Sequence, residues 1–113
     1  MTVQTTFHGE VAEIILNGKL LGGSATSDGF RDTVQQLLEG GTKHFVLNLA
    51  DVHRVNSSGL GLLISIHTSI KQNSGKLALA ETNETMEGIM VMTKLDSIFT
   101  TYSSVEEAVA ALA

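Results

Sequence analysis

The sequence predicts an α/β domain: a mixed sheet of four to five strands with helices packed on it. Three observations carry this. Short apolar runs rich in β-branched residues alternate with stretches whose apolar residues recur at helical spacing. The first two runs are separated by two residues, room for a hairpin turn only, whereas later runs are separated by helix-length segments that allow parallel pairing. The chain has 113 residues, 42% of them hydrophobic, which suits one domain over residues 1–113 with one ordinary core.

The elements follow in order. Val3, Thr5 and Phe7 alternate with polar neighbours, Gly9-Glu10 reads as a tight turn, and Val11 to Leu16 reads as the second strand. Gly22-Gly23 breaks the chain, and Ser24 is a candidate helix N-cap. Phe30, Val34, Leu37 and Leu38 share one face of the helix that follows, and Gly40-Gly41 ends it. Phe45 to Leu49 is a short apolar run and reads as a buried strand, followed by a short loop with Asp51. Asn56-Ser57-Ser58-Gly59 opens a second helix that Asn73-Ser74-Gly75 closes. Leu77 to Ala80 is the next strand, and Asn83 caps a helix carrying Met86, Ile89 and Met90. Ile98 to Tyr102 is the weakest strand signal. Ser104 and Glu107 have the spacing of a capping box, ahead of a last helix with Val105, Ala108, Val109 and Leu112 on one face. The order is β-β-α-β-α-β-α-β-α, with parallel strands and one antiparallel edge made by the first hairpin.

The second helix has two apolar stripes. Leu60, Leu63, Ile64 and Ile70 form one, and Leu62 and Ile66 form the other. Two readings are open. Either Leu62 and Ile66 face outward as a docking surface, or another helix of the same domain covers them.

Composition removes several functions. Net charge is −5, from 7 basic and 12 acidic residues with no basic cluster, which argues against direct nucleic-acid binding. Cys is absent, so thiolate zinc sites, disulfides and cysteine nucleophiles are excluded. The N-terminal residues lack the charged and apolar regions of a signal peptide, and the longest apolar run, Gly59 to Ile66, is far too short for membrane insertion. The expected location is the cytoplasm.

The search for chemistry is mostly negative. His8, His44, His53 and His67 have no pair at i, i+4 and no carboxylates arranged around them, so no metal is expected. Gly59-Leu60-Gly61 has Ile64 where a dinucleotide-binding loop has its third glycine, and no cofactor is expected. Neither Ser57 nor Ser58 has glycine two residues away on both sides (Ser57 has Gly59 after it but Val55 before it), so neither sits in a nucleophile elbow, and no enzyme is expected. What remains is a Ser-Ser-Gly at a helix start. In one reading Asn56 or Ser57 caps the helix and Gly59 permits close packing. In the other, a hydroxyl at that helix start accepts a phosphate, whose charge the helix dipole tolerates and a docked partner does not.

The run from His44 through Asp51-Val52 to Asn56-Ser57-Ser58-Gly59-Leu60-Gly61 resembles the STAS domain of anti-sigma factor antagonists. Asn17 to Leu20, Gly75-Lys76-Leu77, Leu95 to Phe99 and Ser103 to Leu112 resemble the family's other landmarks in the same order. The resemblance implies a STAS-type fold and a role in partner switching. The unphosphorylated domain would bind an anti-sigma factor with serine kinase activity and so release the sigma factor. A metal-dependent serine phosphatase would reverse the phosphorylation. The implied phosphorylated residue is Ser57, and Asn56, Ser58, Gly59 and Leu60 are the implied docking loop, with Leu62 and Ile66 as further contacts. The sequence departs from the family pattern in having Asn56 and Leu21 where acidic residues are usual, and Lys94 where glycine is usual. Those departures leave a second reading, an unphosphorylated STAS scaffold subunit of a signalling or transport complex.

Overall fold

The computed structural model describes residues 2–21 and 25–112. The elements are β1 (Thr2–His8), β2 (Val11–Leu20), α1 (Ala25–Glu39), β3 (His44–Val55), α2 (Ser57–Gln72), β4 (Lys76–Ala80), α3 (Glu84–Met92), a 3-10 turn (Leu95–Ser97), β5 (Thr100–Tyr102) and α4 (Val105–Leu112). The strands form one sheet in the order β1-β2-β3-β4-β5. β1 and β2 are antiparallel, and the other neighbours are parallel. This is the expected mixed sheet with its antiparallel edge. The proposed break at Gly22-Gly23 and cap at Ser24 lie outside the described residues.

Strand alternation sorts the core into two layers. Ala12, Ile14, Leu16 and Leu20 of β2, Phe45, Leu47, Leu49 and Val52 of β3, and Leu77 and Leu79 of β4 face α1, α2 and α3. The opposite face is thinner. There Val11, Val46, Ala78 and Ala80 meet Ala108 of α4, with Val105, Val109 and Leu112 alongside. Small side chains on both sides let α4 lie close to the sheet.

Both central strands outrun their apolar cores. β2 reaches Leu20 and β3 reaches Val55, so Asp51 stands in a strand rather than in the expected loop. The cause is mutual pairing. The β2–β3 ladder continues past two irregularities, at Ile15/Asn17 and Gly18/Lys19, to the pair Leu20↔Val55. Each segment, largely polar apart from the core residues Leu20 and Val52, is held extended by the other, and neither shows this in its own periodicity.

Helix ends are tied to neighbouring strands. The Asn83 side-chain oxygen accepts from Met86 N at 2.9 Å, as a cap should, and its amide donates to Val52 O at 2.9 Å. At α4 the expected capping box is half formed. Glu107 N donates to Ser104 Oγ at 3.2 Å, but the Glu107 carboxylate accepts from Ser103 Oγ at 2.9 Å. Glu81 takes the role of a long-range cap, its carboxylate accepting from Val105 N at 3.0 Å.

Two residues carry stability predictions. Lys94 follows α3 at φ 62, ψ 20, a left-handed conformation that costs a side chain about 1–2 kcal/mol relative to glycine. Lys94→Gly is expected to stabilise the domain by about 0.5–1 kcal/mol once the added freedom of the unfolded chain is subtracted, read as a rise in urea midpoint. His67 is half-buried with its ring 4.9 Å from that of Phe99. Burial, and then the charge of Lys71, lower its pKa below the ordinary 6.5. Below 6.5 the unfolded chain therefore binds more protons than the folded one, so stability is lost as pH falls from 6.5 toward the lowered value. The urea midpoint of His67→Gln should fall less than that of the parent across this window; equal falls would refute the assignment.

Candidate functional site

The site is built where the C-terminal ends of β2 and β3 meet the start of α2. Asn56 is extended at φ −110, ψ 178, and its side-chain oxygen accepts from Gly59 N at 2.7 Å. Of the two expected cap candidates, Asn56 therefore serves. Its backbone N–H donates to Leu20 O at 3.4 Å, and its carbonyl accepts from Leu60 N at 3.0 Å.

Gly59 explains the seat of the helix. A Cβ at this buried position would overlap the carbonyl oxygen of Leu20 and stand 3.3 Å from Asn56 Oδ1. Only glycine lets the first turn of α2 rest against the end of β2. Ser57 and Ser58 occupy the solvent side of that turn and are exposed. The first turn carries no acidic residue, and its N–H groups point toward the helix start, where negative charge is favoured.

The structure brings Asn56, Ser57 and Ser58 to one exposed loop, with Leu60 half-buried at its edge. It corrects the expectation for three residues. Leu62 and Ile66 are 6% and 3% exposed and lie in the main core. Of the two readings of the second stripe, burial within the domain holds, because α2 is covered over an arc wide enough to take in both stripes. Gly59 is buried too, so it positions the loop rather than touching a partner. The outward apolar residue near the loop is Ile64, at 37% exposure, with the exposed Gly61 beside the loop.

Sequence reasoning missed two features. Leu20 serves the site through its backbone carbonyl, which no side-chain pattern announces. Glu13 is 6% exposed and sits on the sheet face away from α1–α3, its carboxylate 2.7 Å from His8 Nε2 and accepting from Asn48 Nδ2 at 3.0 Å. A lone carboxylate inside the apolar run Val11 to Leu16 was the available signal. A cleft of about 470 Å³ lies at the other end of the sheet among Phe7, Glu10, Gly41, Lys43 and His44. Ser57 and Ser58, both exposed, stand away from that cleft on an open surface. Among the described residues, no helix is long and apolar enough to cross a membrane, and no group of three His, Asp or Glu could hold a metal ion.

A profile of the STAS domain matches residues 2–108. The chain belongs to the STAS domain family. A Thermotoga maritima protein named provisionally as an anti-sigma factor antagonist is 34% identical over 73 residues, which span 65% of this chain and 65% of that relative, just under two thirds of its length. A crystal structure of a Thermotoga maritima protein so named superimposes with a TM-score of 0.87 at 27% identity, covering 97% of this chain and 93% of the other. The Bacillus cell-fate determinant SpoIIAA in its phosphorylated form shares the fold, with a TM-score of 0.76 at 19% identity, covering 99% of this STAS chain and all of that one (100%).

Within this STAS domain the seat of α2 makes a direct prediction. Gly59→Ala should destabilise by about 1–3 kcal/mol, since backbone rather than a flexible side chain must move. Asn56→Asp should keep the cap and gain about 0.3–1 kcal/mol from the helix dipole. Urea midpoints at unchanged slope read both effects.

Proposed function

We propose that this STAS domain is an anti-sigma factor antagonist, a protein-binding regulator rather than an enzyme. In this reading the unphosphorylated domain docks through Asn56, Ser57, Ser58 and the edge of Leu60 onto an anti-sigma factor with serine kinase activity, and the sigma factor is freed. Phosphate on Ser57 ends the complex, and a metal-dependent serine phosphatase restores it. The domain would act in the cytoplasm.

The observation that carries this reading is the placement of Ser57, exposed at the start of a long helix whose first turn is clamped by the Asn56 cap and the Gly59 seat. A phosphate there adds about −1.5 to −2 charges where the helix start tolerates them, so the fold need not change. A docked partner would meet that charge at a desolvated surface, which weakens binding by repulsion and desolvation. The named relatives, one of them solved in a phosphorylated form, support the same reading.

Asn56 and Leu21, standing where the family usually has acids, favour a second reading: an unphosphorylated scaffold subunit. Phosphate uptake at Ser57 separates the two. Trypsin cleavage after Arg54 and Lys71 places Ser57 and Ser58 in one peptide, so mapping after incubation of a lysate with ATP decides directly. In a binding assay with the captured anti-sigma factor, Ser57→Ala should bind as the parent does and change stability by no more than about 0.5 kcal/mol, since Asn56 holds the cap. Ser57→Asp should fold and bind at least about tenfold more weakly, about 1.4 kcal/mol. Equal binding by the two variants would sink the switch.

A further inference from the structure

The two edges of the sheet differ sharply. β5 is three residues long, flanked by the 3-10 turn before it and α4 after it. β1 runs for seven residues, Thr2–His8, pairs with β2 along its whole length and, among the described residues, has no strand on its other side. It carries no Asp, Glu, Lys, Arg or Pro, and its pairing with β2 shows no bulge. Edge strands normally carry such features because an unguarded row of N–H and C=O groups pairs with another strand.

We infer that β1 is a self-pairing edge, and that two copies of this chain join antiparallel through it into a continuous ten-stranded sheet. The side chains fit a two-fold axis through Thr5. That register sets Val3 against Phe7, Gln4 against Thr6 and Thr2 against His8 of the second copy. On the helix side of the sheet, Phe7, 54% exposed in the single chain, gains Val3 as an apolar cross-strand neighbour. The open side matches Gln4 with Thr6 and Thr2 with His8, polar groups throughout. Charge does not oppose pairing at this edge. Each copy carries −5, and β1 brings two such copies together without one carboxylate in the pairing strand. The two-fold puts the Ser57 loops at opposite ends of the joined sheet, both open. If the antagonist reading holds, the dimer is bivalent toward its partner; the pairing itself does not rest on that reading.

Sedimentation equilibrium on the full chain across a concentration series is the test. The mass is expected to rise from 12.0 kDa toward twice that value. Thr5→Lys and Thr5→Glu each place like charges opposite one another on the axis, and each should weaken self-association at least tenfold. An equimolar mixture of the two should restore it, because opposite charges then meet. Thr5 is exposed, so far-UV circular dichroism should match the parent, and Gln4→Lys on the other face gives an independent variant. A parent chain that stays at 12.0 kDa at millimolar concentration overturns the inference. So does a Thr5→Lys chain that associates as the parent does, or a mixture that fails to recover.

Discussion

The close approach of Gly59 to the Leu20 carbonyl is the contact on which the site depends. It joins the last residue of β2 to the first turn of α2, and both have further obligations. Leu20 is fully buried and pairs with Val55, so β3 must stay extended to within one residue of Asn56. The chain then turns into α2 with Asn56 N–H on the same Leu20 carbonyl. Four consecutive residues are thereby assigned: Asn56 caps, Gly59 touches backbone, and Ser57 and Ser58 between them face solvent. An exposed serine at a helix start fixed by the Asn56 cap and the Gly59 seat is a consequence of this geometry. A side chain at position 59 would lift the helix start and displace the loop with it.

The same ladder shows what was legible in the sequence and what was not. Element order, the Asn83 cap and the hairpin could be read because each rests on residues close in sequence. The ends of β2 and β3 could not, because in segments 17–20 and 51–55 the core residues Leu20 and Val52 stand among polar and charged neighbours, and the pairing of the two segments with each other is what extends them. Leu62 and Ile66 failed for a related reason. Two apolar stripes on one helix show that it is apolar over a wide arc, but not how far its neighbours wrap it. Their burial follows from α1 and α3 sharing one face of the sheet with α2, a tertiary fact. In one arm of the capping box the Glu107 carboxylate takes the Ser103 hydroxyl instead of the Ser104 backbone N–H, a substitute that the i, i+3 spacing of Ser104 and Glu107 does not announce.

The two faces of the sheet divide the work. The side toward α1–α3 holds the large apolar residues and positions the Ser57 loop. The opposite side is covered by α4 over β3 and β4, where alanines admit it closely. On the same side, Glu13 of β2 is held by His8 and Asn48. A carboxylate that is nearly buried needs its oxygens satisfied, and Asn48 on β3 and His8 on β1 supply both partners. This cluster also keeps the β1 end of the sheet polar on its open side, so the edge is self-complementary without exposing an apolar face.

The departures from the family pattern alter charge more than shape. Asn56 keeps the hydrogen bond to Gly59 that an aspartate would make, so the amide preserves the loop while removing a negative charge beside Ser57. On the neighbouring strands, Lys19 and Arg54 are cross-strand partners one residue before Leu20 and Val55. Without the usual acids, this end of the sheet is less hostile to a phosphate than the family pattern would make it. In the proposed function, a smaller part of the switch would then come from strain within the domain and a larger part from the partner's own surface. Lys94 makes the complementary point. There the departure leaves charge chemistry aside and forces a side chain into a left-handed turn, a stability cost at a position away from the Ser57 loop. The first change retunes the site at no cost to its geometry, and the second costs stability at no evident gain to the site.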